Sequence, residues 1–246
     1  MRVGLFVTCL VDLMRPRVGF AALELLEAAG CEVLVPSAQT CCGQPAYNSG
    51  DRPAARALAL KLLQEFEHCD YVVLPSGSCA GMVRCHYPEL FAADASLFPR
   101  MQALAAKTYE LTDFLVNVAK IERLPRGGHL TGVITYHDSC SGLRELGIKS
   151  QPRALLRKCE YVTLKEMPGA EECCGFGGAF SAKYGELSAA IAARKCDNIH
   201  ASGTQTVVGG DLGCLLNIEG KLRRMGDETT RVLHIAEVLA PDGKAG

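Results

Sequence analysis

The sequence predicts an α/β fold of two similar lobes, each a small, mostly parallel sheet flanked by helices, related by internal duplication. Three observations predict it. Short apolar, strand-like runs alternate with helix-spaced segments along all 246 residues. The tripeptide Cys-Cys-Gly occurs twice, at 41–43 and 173–175. The cysteines around the two copies recur at a nearly constant offset: Cys9 and Cys140 are 131 apart, Cys41/Cys42 and Cys173/Cys174 are 132 apart, and Cys79 and Cys214 are 135 apart. The pair Cys31-Glu32 recurs as Cys159-Glu160, at offset 128.

Each element follows from local chemistry. Residues 2–8, RVGLFVT, read as a buried strand, and 16–30 as a helix opened by Pro16 and closed by Gly30. Residues 31–36, CEVLVP, read as the second strand, with Cys41-Cys42-Gly43 in the loop beyond it. Asp51 is placed to cap a helix that has Pro53 in its first turn and runs to about residue 67. Residues 71–75, YVVLP, form a third strand, and helices are expected near 96–106 and 109–121. The order then repeats: strand 131–138, short helix 152–158, strand 159–164, loop at Cys173-Cys174-Gly175, helix 183–202, strand 204–210, and a turn into helix over 211–218. The stretch VLHIAEVLA at 232–240 echoes TYELTDFLV at 108–116. A Pro- and Gly-containing linker, 122–129, divides the lobes, giving domains 1–125 and 126–246.

Composition narrows the class. With 48% hydrophobic and 22% charged residues the chain can bury a core, and a net charge of −1 offers no basic footprint for nucleic acid or an anionic membrane. No apolar run approaches the roughly 18–20 residues of a membrane helix, and MRVGLFVTCL reads as a strand, not a leader. The expected location is the cytoplasm. There the thirteen cysteines are buried structural residues or metal ligands and not a disulfide framework.

Cys31, Cys69, Cys159 and Cys196 suit structural burial. Cys85, six residues beyond Cys79, is open between burial and the site. The other eight (Cys9, Cys41, Cys42, Cys79, Cys140, Cys173, Cys174 and Cys214) follow strands at matched spacing. Burial alone does not call for that pattern. Adjacent cysteines bridge each other poorly, because disulfides want Cα atoms about 4.4–6.8 Å apart. Structural zinc favours Cys-x(2–4)-Cys knuckles, which the repeated eight lack. An iron–sulfur cluster makes use of consecutive thiolates, since neighbouring residues can bind different irons. Glycine after the pair permits a positive φ and a close approach of backbone. In parallel sheets such loops gather beyond the carboxyl ends of the strands.

His137-Asp138-Ser139 lead into Cys140. They read as a locally satisfied strand end with a capped turn, or as groups supplying protons and hydrogen bonds to a nearby centre. Glu171 and Glu172 read as solvated. The run GFGG at 175–178 lacks a dinucleotide or P-loop frame and reads as wrapping of the site.

The motifs TCLVD, TCCGQPAYNSGD, PSGSCAGMV, YHDSCSGLRELGI, ECCGFGGAFS and GGDLGC resemble the CCG cysteine-rich domain. That domain occurs in heterodisulfide reductase, in the iron–sulfur subunits of glycolate oxidase and in anaerobic glycerol-3-phosphate dehydrogenase. The likeness is strongest to the lactate utilization protein A family, over essentially the whole chain. It implies an iron–sulfur electron-transfer subunit of an L-lactate oxidation complex. The implied cofactor is a 4Fe-4S cluster, one or two per chain, held by the eight repeated cysteines, with further iron–sulfur and companion subunits as partners. Relatives often end each repeat Cys-x-x-Cys; here Met82 and Asn217 stand at that last position. Four thiolates per half suit an ordinary four-iron cluster in place of the non-cubane type of heterodisulfide reductase. No flavin or nicotinamide fingerprint is present, so the chain reads as a non-flavin oxidoreductase subunit, its clusters one-electron conduits. Two further readings stand beside this one: a subunit of a glycolate or glycerol-3-phosphate dehydrogenase, and a non-redox metal-binding or scaffolding protein. A thiol–disulfide enzyme acting through the vicinal cysteines is a third.

Overall fold

A computed structural model describes residues 1–125 and 130–241. The expected boundary at 125/126 and the last four residues of the expected linker lie outside the described residues. The first lobe carries β1 (Arg2–Leu5), β2 (Glu32–Leu34), β3 (Tyr71–Leu74) and β4 (Thr108–Glu110) in the order β2-β1-β3-β4. The second carries β5 (Gly132–His137), β6 (Val162–Leu164), β7 (Thr206–Gly209) and β8 (Arg231–His234) in the order β6-β5-β7-β8. Every pairing is parallel; Val3 aligns with Val33 and Tyr71, and Tyr136 with Val208. The duplicated two-lobe α/β arrangement is therefore present.

β4 departs from the expected helix over 109–121. Thr108 and Glu110 are buried and pair with Val72 and Leu74 on the sheet edge. Only then does the chain turn helical, over 111–118. Glu110 makes the switch, because its carboxylate accepts hydrogen bonds from Thr112 N at 2.8 Å and Asp113 N at 3.2 Å. Helical spacing of the apolar residues reveals the helix but hides a three-residue strand before it. β8 and the helix Ile235–Leu239 repeat this arrangement, as the sequence echo implies. The other expected strands are shorter: β1 ends at Leu5 and β3 at Leu74, where the chain leaves the sheet to build the loops at its carboxyl edge, whereas β6 begins only at Val162 and is shortened at its amino end.

The flanking helices begin where caps allow. Pro16 opens Pro16–Ala28, Asp51 accepts from Ala54 N at 3.1 Å ahead of Arg52–Phe66, and Asp211 accepts from Gly213 N at 3.1 Å ahead of Leu212–Arg224. Gly30 closes the first helix with φ 78°.

The lobes pack reciprocally. Pro16–Ala28 lies against Ile235–Leu239 of the second lobe, while Ser150–Leu156 of the second lobe lies against 111–118 of the first. Cys9–Met14 meets Leu212–Arg224, and Gly77–Gly81 meets Cys140–Leu146. Each contact has its partner across a pseudo-two-fold axis, as in an isologous dimer. One apolar core runs through both lobes, joining Leu5, Val73 and Phe114 to Tyr136, Val208 and Ile235. A second core, around Phe6, Phe66, Tyr87 and Phe91, belongs to the first lobe.

Candidate metal centre

In each lobe the chain runs from the first strand to an edge strand, then crosses back to the other side. The strand order reverses between β1 and β3, and between β5 and β7. Loops leaving such neighbours diverge and open a crevice at the carboxyl edge. Cys9 and Cys79 follow β1 and β3; Cys140 and Cys214 follow β5 and β7. The vicinal pairs enter from the loops after β2 and β6.

All eight predicted residues reach these two crevices. In the first lobe Cys42 Sγ lies 3.2 Å from Cys79 Sγ, and Cys41 exchanges thiol hydrogen bonds with both Cys42 and Cys9. In the second, Cys173 does so with Cys140 and Cys174, and Cys174 in turn with Cys214. The loop placement expected for all eight holds for the two pairs only. Cys9 and Cys140 are the first residues of short helices, and Cys79 and Cys214 lie in helical first turns capped by Ser76 and Asp211.

The backbone supports the pairs in the same way twice. Gly43 (φ 82°) and Gly175 (φ 86°) turn the chain so that their N–H groups donate to Cys41 Sγ at 3.4 Å and Cys173 Sγ at 3.3 Å. The carbonyl of the second cysteine is then pinned: Tyr87 Oη donates to Cys42 O at 2.8 Å, and Asn217 Nδ2 to Cys174 O at 2.9 Å. Asn217, where a Cys-x-x-Cys ending would place its last cysteine, therefore holds the loop that carries Cys174. Met82, its counterpart, is fully buried and opens a π-helical turn over Met82–His86. Thr8, just ahead of Cys9, is held at φ 77°, a costly conformation for a β-branched residue.

The glycines give an unequal prediction. A Cβ on Gly175 would sit 2.6 Å from Ser188 O, a backbone atom, whereas one on Gly43 would meet nothing nearer than Leu58 Cβ at 3.4 Å. Gly43→Ala is expected to cost about 1–2 kcal/mol, the left-handed penalty alone. Gly175→Ala is expected to cost several kcal/mol more, because backbone must also move. Denaturant unfolding of the metal-free protein reads the difference; equal losses would contradict it.

The electrostatics suit a cationic occupant. Hydrogen bonds from Cys42 and Cys9, then from Gly43 N–H, hold Cys41 down at about 3. Those from Cys140 and Cys174, then from Gly175 N–H, hold Cys173 at about 2. The donors Cys9, Cys42, Cys140 and Cys174 are pushed up, first by bonding to a neighbouring thiol and then by burial. Four thiols in contact cannot all ionise without a positive centre among them, which is what a metal or iron–sulfur core supplies. The donor set and the turned glycines fit such a group.

His137 departs from the locally satisfied alternative. The ring is 1% exposed, and among the described residues neither nitrogen has a hydrogen-bond partner. A ring nitrogen, Cys174 Sγ and Cys214 Sγ all lie within 4.8 Å of one another. Burial, then the Lys195 cation, pull its pKa down to about 3, so the imidazole is neutral near pH 7. Asp138 does not cap a turn; it is 2% exposed and gripped by Arg153 at 2.8 and 2.9 Å. Ser139 does cap, accepting from Gly142 N at 3.2 Å. Glu171 and Glu172 are surface residues paired with Lys149 and Arg194. Phe176 of the glycine-rich run wraps the site by covering Gly213, where a Cβ would strike its ring. Cys31, Cys69 and Cys196 are buried and Cys159 is half-buried, while Cys85 lies at the surface near Glu145 O.

Sequence reasoning missed three residues: Tyr87, the buried cation Lys195, and Asp211. Lys195 is 1% exposed and donates to Gly169 O at 2.6 Å beside the Cys173 loop. Asp211 caps its own helix and also accepts from Ser78 N of the first lobe at 2.8 Å, beside Cys79. The offset that pairs Cys79 with Cys214 pairs Ser76 with Asp211, which was the available signal.

Two duplicated lobes, each closing four thiols on the switch point of its own parallel sheet, define a cysteine-rich protein built around paired thiolate centres. The family described as cysteine-rich domain (CCG) matches the chain twice, over residues 3–84 and 134–219. Lactate utilization protein A of Geobacillus sp. (strain WCH70) is 48% identical over 239 residues, covering 97% of this chain and 99% of that protein. Lactate utilization protein A of Bacillus cereus (strain G9842) is 46% identical, covering 97% and 98%. The chain belongs to the CCG cysteine-rich family and, within it, to the lactate utilization protein A group. No helix among the described residues is long and apolar enough to cross a membrane.

Proposed function

We propose that the chain is an iron–sulfur electron-transfer subunit acting in L-lactate utilization in the cytoplasm. The observation that carries this reading is the duplicated convergence of four thiols. Cys9, Cys41, Cys42 and Cys79 would hold one 4Fe-4S cluster, and Cys140, Cys173, Cys174 and Cys214 a second, in lobes taken as 1–125 and 126–246. The bound clusters supply reversible one-electron transfer. The chain's own residues orient and insulate the sites. Gly43 and Gly175 direct N–H groups at the first sulfur of each pair, Tyr87 and Asn217 fix the second, and burial of Cys42 and Cys174 keeps water away. The substrate comes from likeness to the lactate utilization relatives. A two-electron acceptor and further iron–sulfur centres then belong to companion subunits.

Anaerobic purification followed by iron and acid-labile sulfide analysis, with EPR of the reduced protein, tests the proposal. Iron and sulfide in equal amounts, with a signal appearing on reduction, are expected. Zinc without sulfide would point instead to the non-redox metal-binding reading. Reversible thiol oxidation without bound metal would point to thiol–disulfide chemistry.

A further inference from the structure

The two crevices are alike in their cysteines but not in what stands behind them. The offset that carries Cys9 to Cys140 carries Phe6 to His137. Phe6 is 1% exposed and packs edge-on against Phe66 at 5.8 Å between centroids. An aromatic hydrocarbon therefore fills this strand end well in the first lobe. The second lobe places an imidazole there, buried to the same degree, with both nitrogens lacking a hydrogen-bond partner among the described residues. A buried polar group without a partner is costly, and native proteins retain few. Among the described residues only the Ala170 carbonyl approaches the ring, outside hydrogen-bond geometry, yet two sulfurs stand within 4.8 Å of a ring nitrogen, and each other, at the distance that lets one ion touch all three. An imidazole nitrogen without a hydrogen-bond partner can offer its lone pair to a metal, and imidazole suits iron as a ligand.

We propose that His137 is a nitrogen ligand of the second centre, which thus draws on five donors where the first, among the described residues, draws on four thiols. The inference rests on the reading of these sites as metal centres and adds that the two are chemically unequal. The imidazole is a neutral ligand and adds no negative charge at the iron. The buried Lys195 cation, near Cys173 and Cys174, favours the reduced centre and raises its potential. Asp211 opposes it, though its carboxylate is divided between Gly213 N of one lobe and Ser78 N of the other. The second centre is therefore the more readily reduced.

Pulsed EPR on the reduced, anaerobically purified full chain, with and without nitrogen-15 histidine, tests this. A strongly coupled nitrogen that responds to the label and is lost in His137→Phe, with iron content kept, is the expected result; Phe is the first lobe's own residue at this place. The isotope comparison needs no variant, so a misfolded substitution does not decide the outcome. Iron present with no label-sensitive strong coupling, or with only the weak coupling of a hydrogen-bonded ring, overturns the ligand assignment and leaves the cluster reading standing. Absence of iron from the wild type overturns both.

Discussion

Cys174→Ser is expected to strip the second lobe of its iron and sulfide while the first lobe keeps its share, so that total iron falls by about half. Cys174 is 2% exposed, in thiol contact with Cys173 and Cys214, and anchored through its carbonyl by Asn217. A serine there offers a hard oxygen with a high pKa in place of a soft thiolate, in a site too enclosed for water to substitute. The first-lobe donors, Cys9, Cys41, Cys42 and Cys79, all come from a different sheet. Cys42→Ser is expected to give the mirror result. Metal and sulfide analysis beside EPR reads both variants, and iron unchanged in each would remove the basis of the assignment.

Arg153→Ala is expected to cost about 3–5 kcal/mol of folding stability, the usual result of leaving one buried charge alone. Arg153 binds Asp138 through both terminal nitrogens and reaches Glu166 through Nε at 2.7 Å. Asp138 N–H in turn donates to Ala170 O at 3.1 Å, tying the strand end before Cys140 to the segment before Cys173. Removing the guanidinium strands a carboxylate with almost no access to water. The double variant Asp138→Asn with Arg153→Met should recover much of the loss, because it removes both charges together. Urea unfolding of the metal-free single and double variants measures this. A single-variant loss below about 1 kcal/mol, the range of an exposed pair, would show that Asp138 finds water after all.

Much of the site was legible because duplication prints it twice. Eight cysteines at matched offsets, each pair followed by glycine, specified which thiols meet and which glycines take positive φ. Parallel topology then placed them on one edge. What escaped depends on register and partners, which local patterning does not encode. Thr108–Glu110 is too short to show alternation, and its pairing to β3 is set by tertiary packing. His137 beside Asp138 and Ser139 looks like any polar strand end; its lack of partners exists only once the fold surrounds it. Lys195 sits within KYGELSAAIAARKC, where a lysine reads as a solvent face, yet its helix turns it inward onto two carbonyls. Asp211 opens a stretch that reads only as a turn into helix, and its reach across to Ser78 could not be seen before the lobes were in contact.

The reciprocal packing of the lobes bears on ancestry. Each half leaves uncovered the surface that the other half's last helix occupies, so a half-length chain would find its missing cover on a second copy of itself. The present molecule has the form of such a homodimer joined into one polypeptide. Once joined, its halves were free to diverge, and Phe6 opposite His137 records where identical twins became a specialised pair.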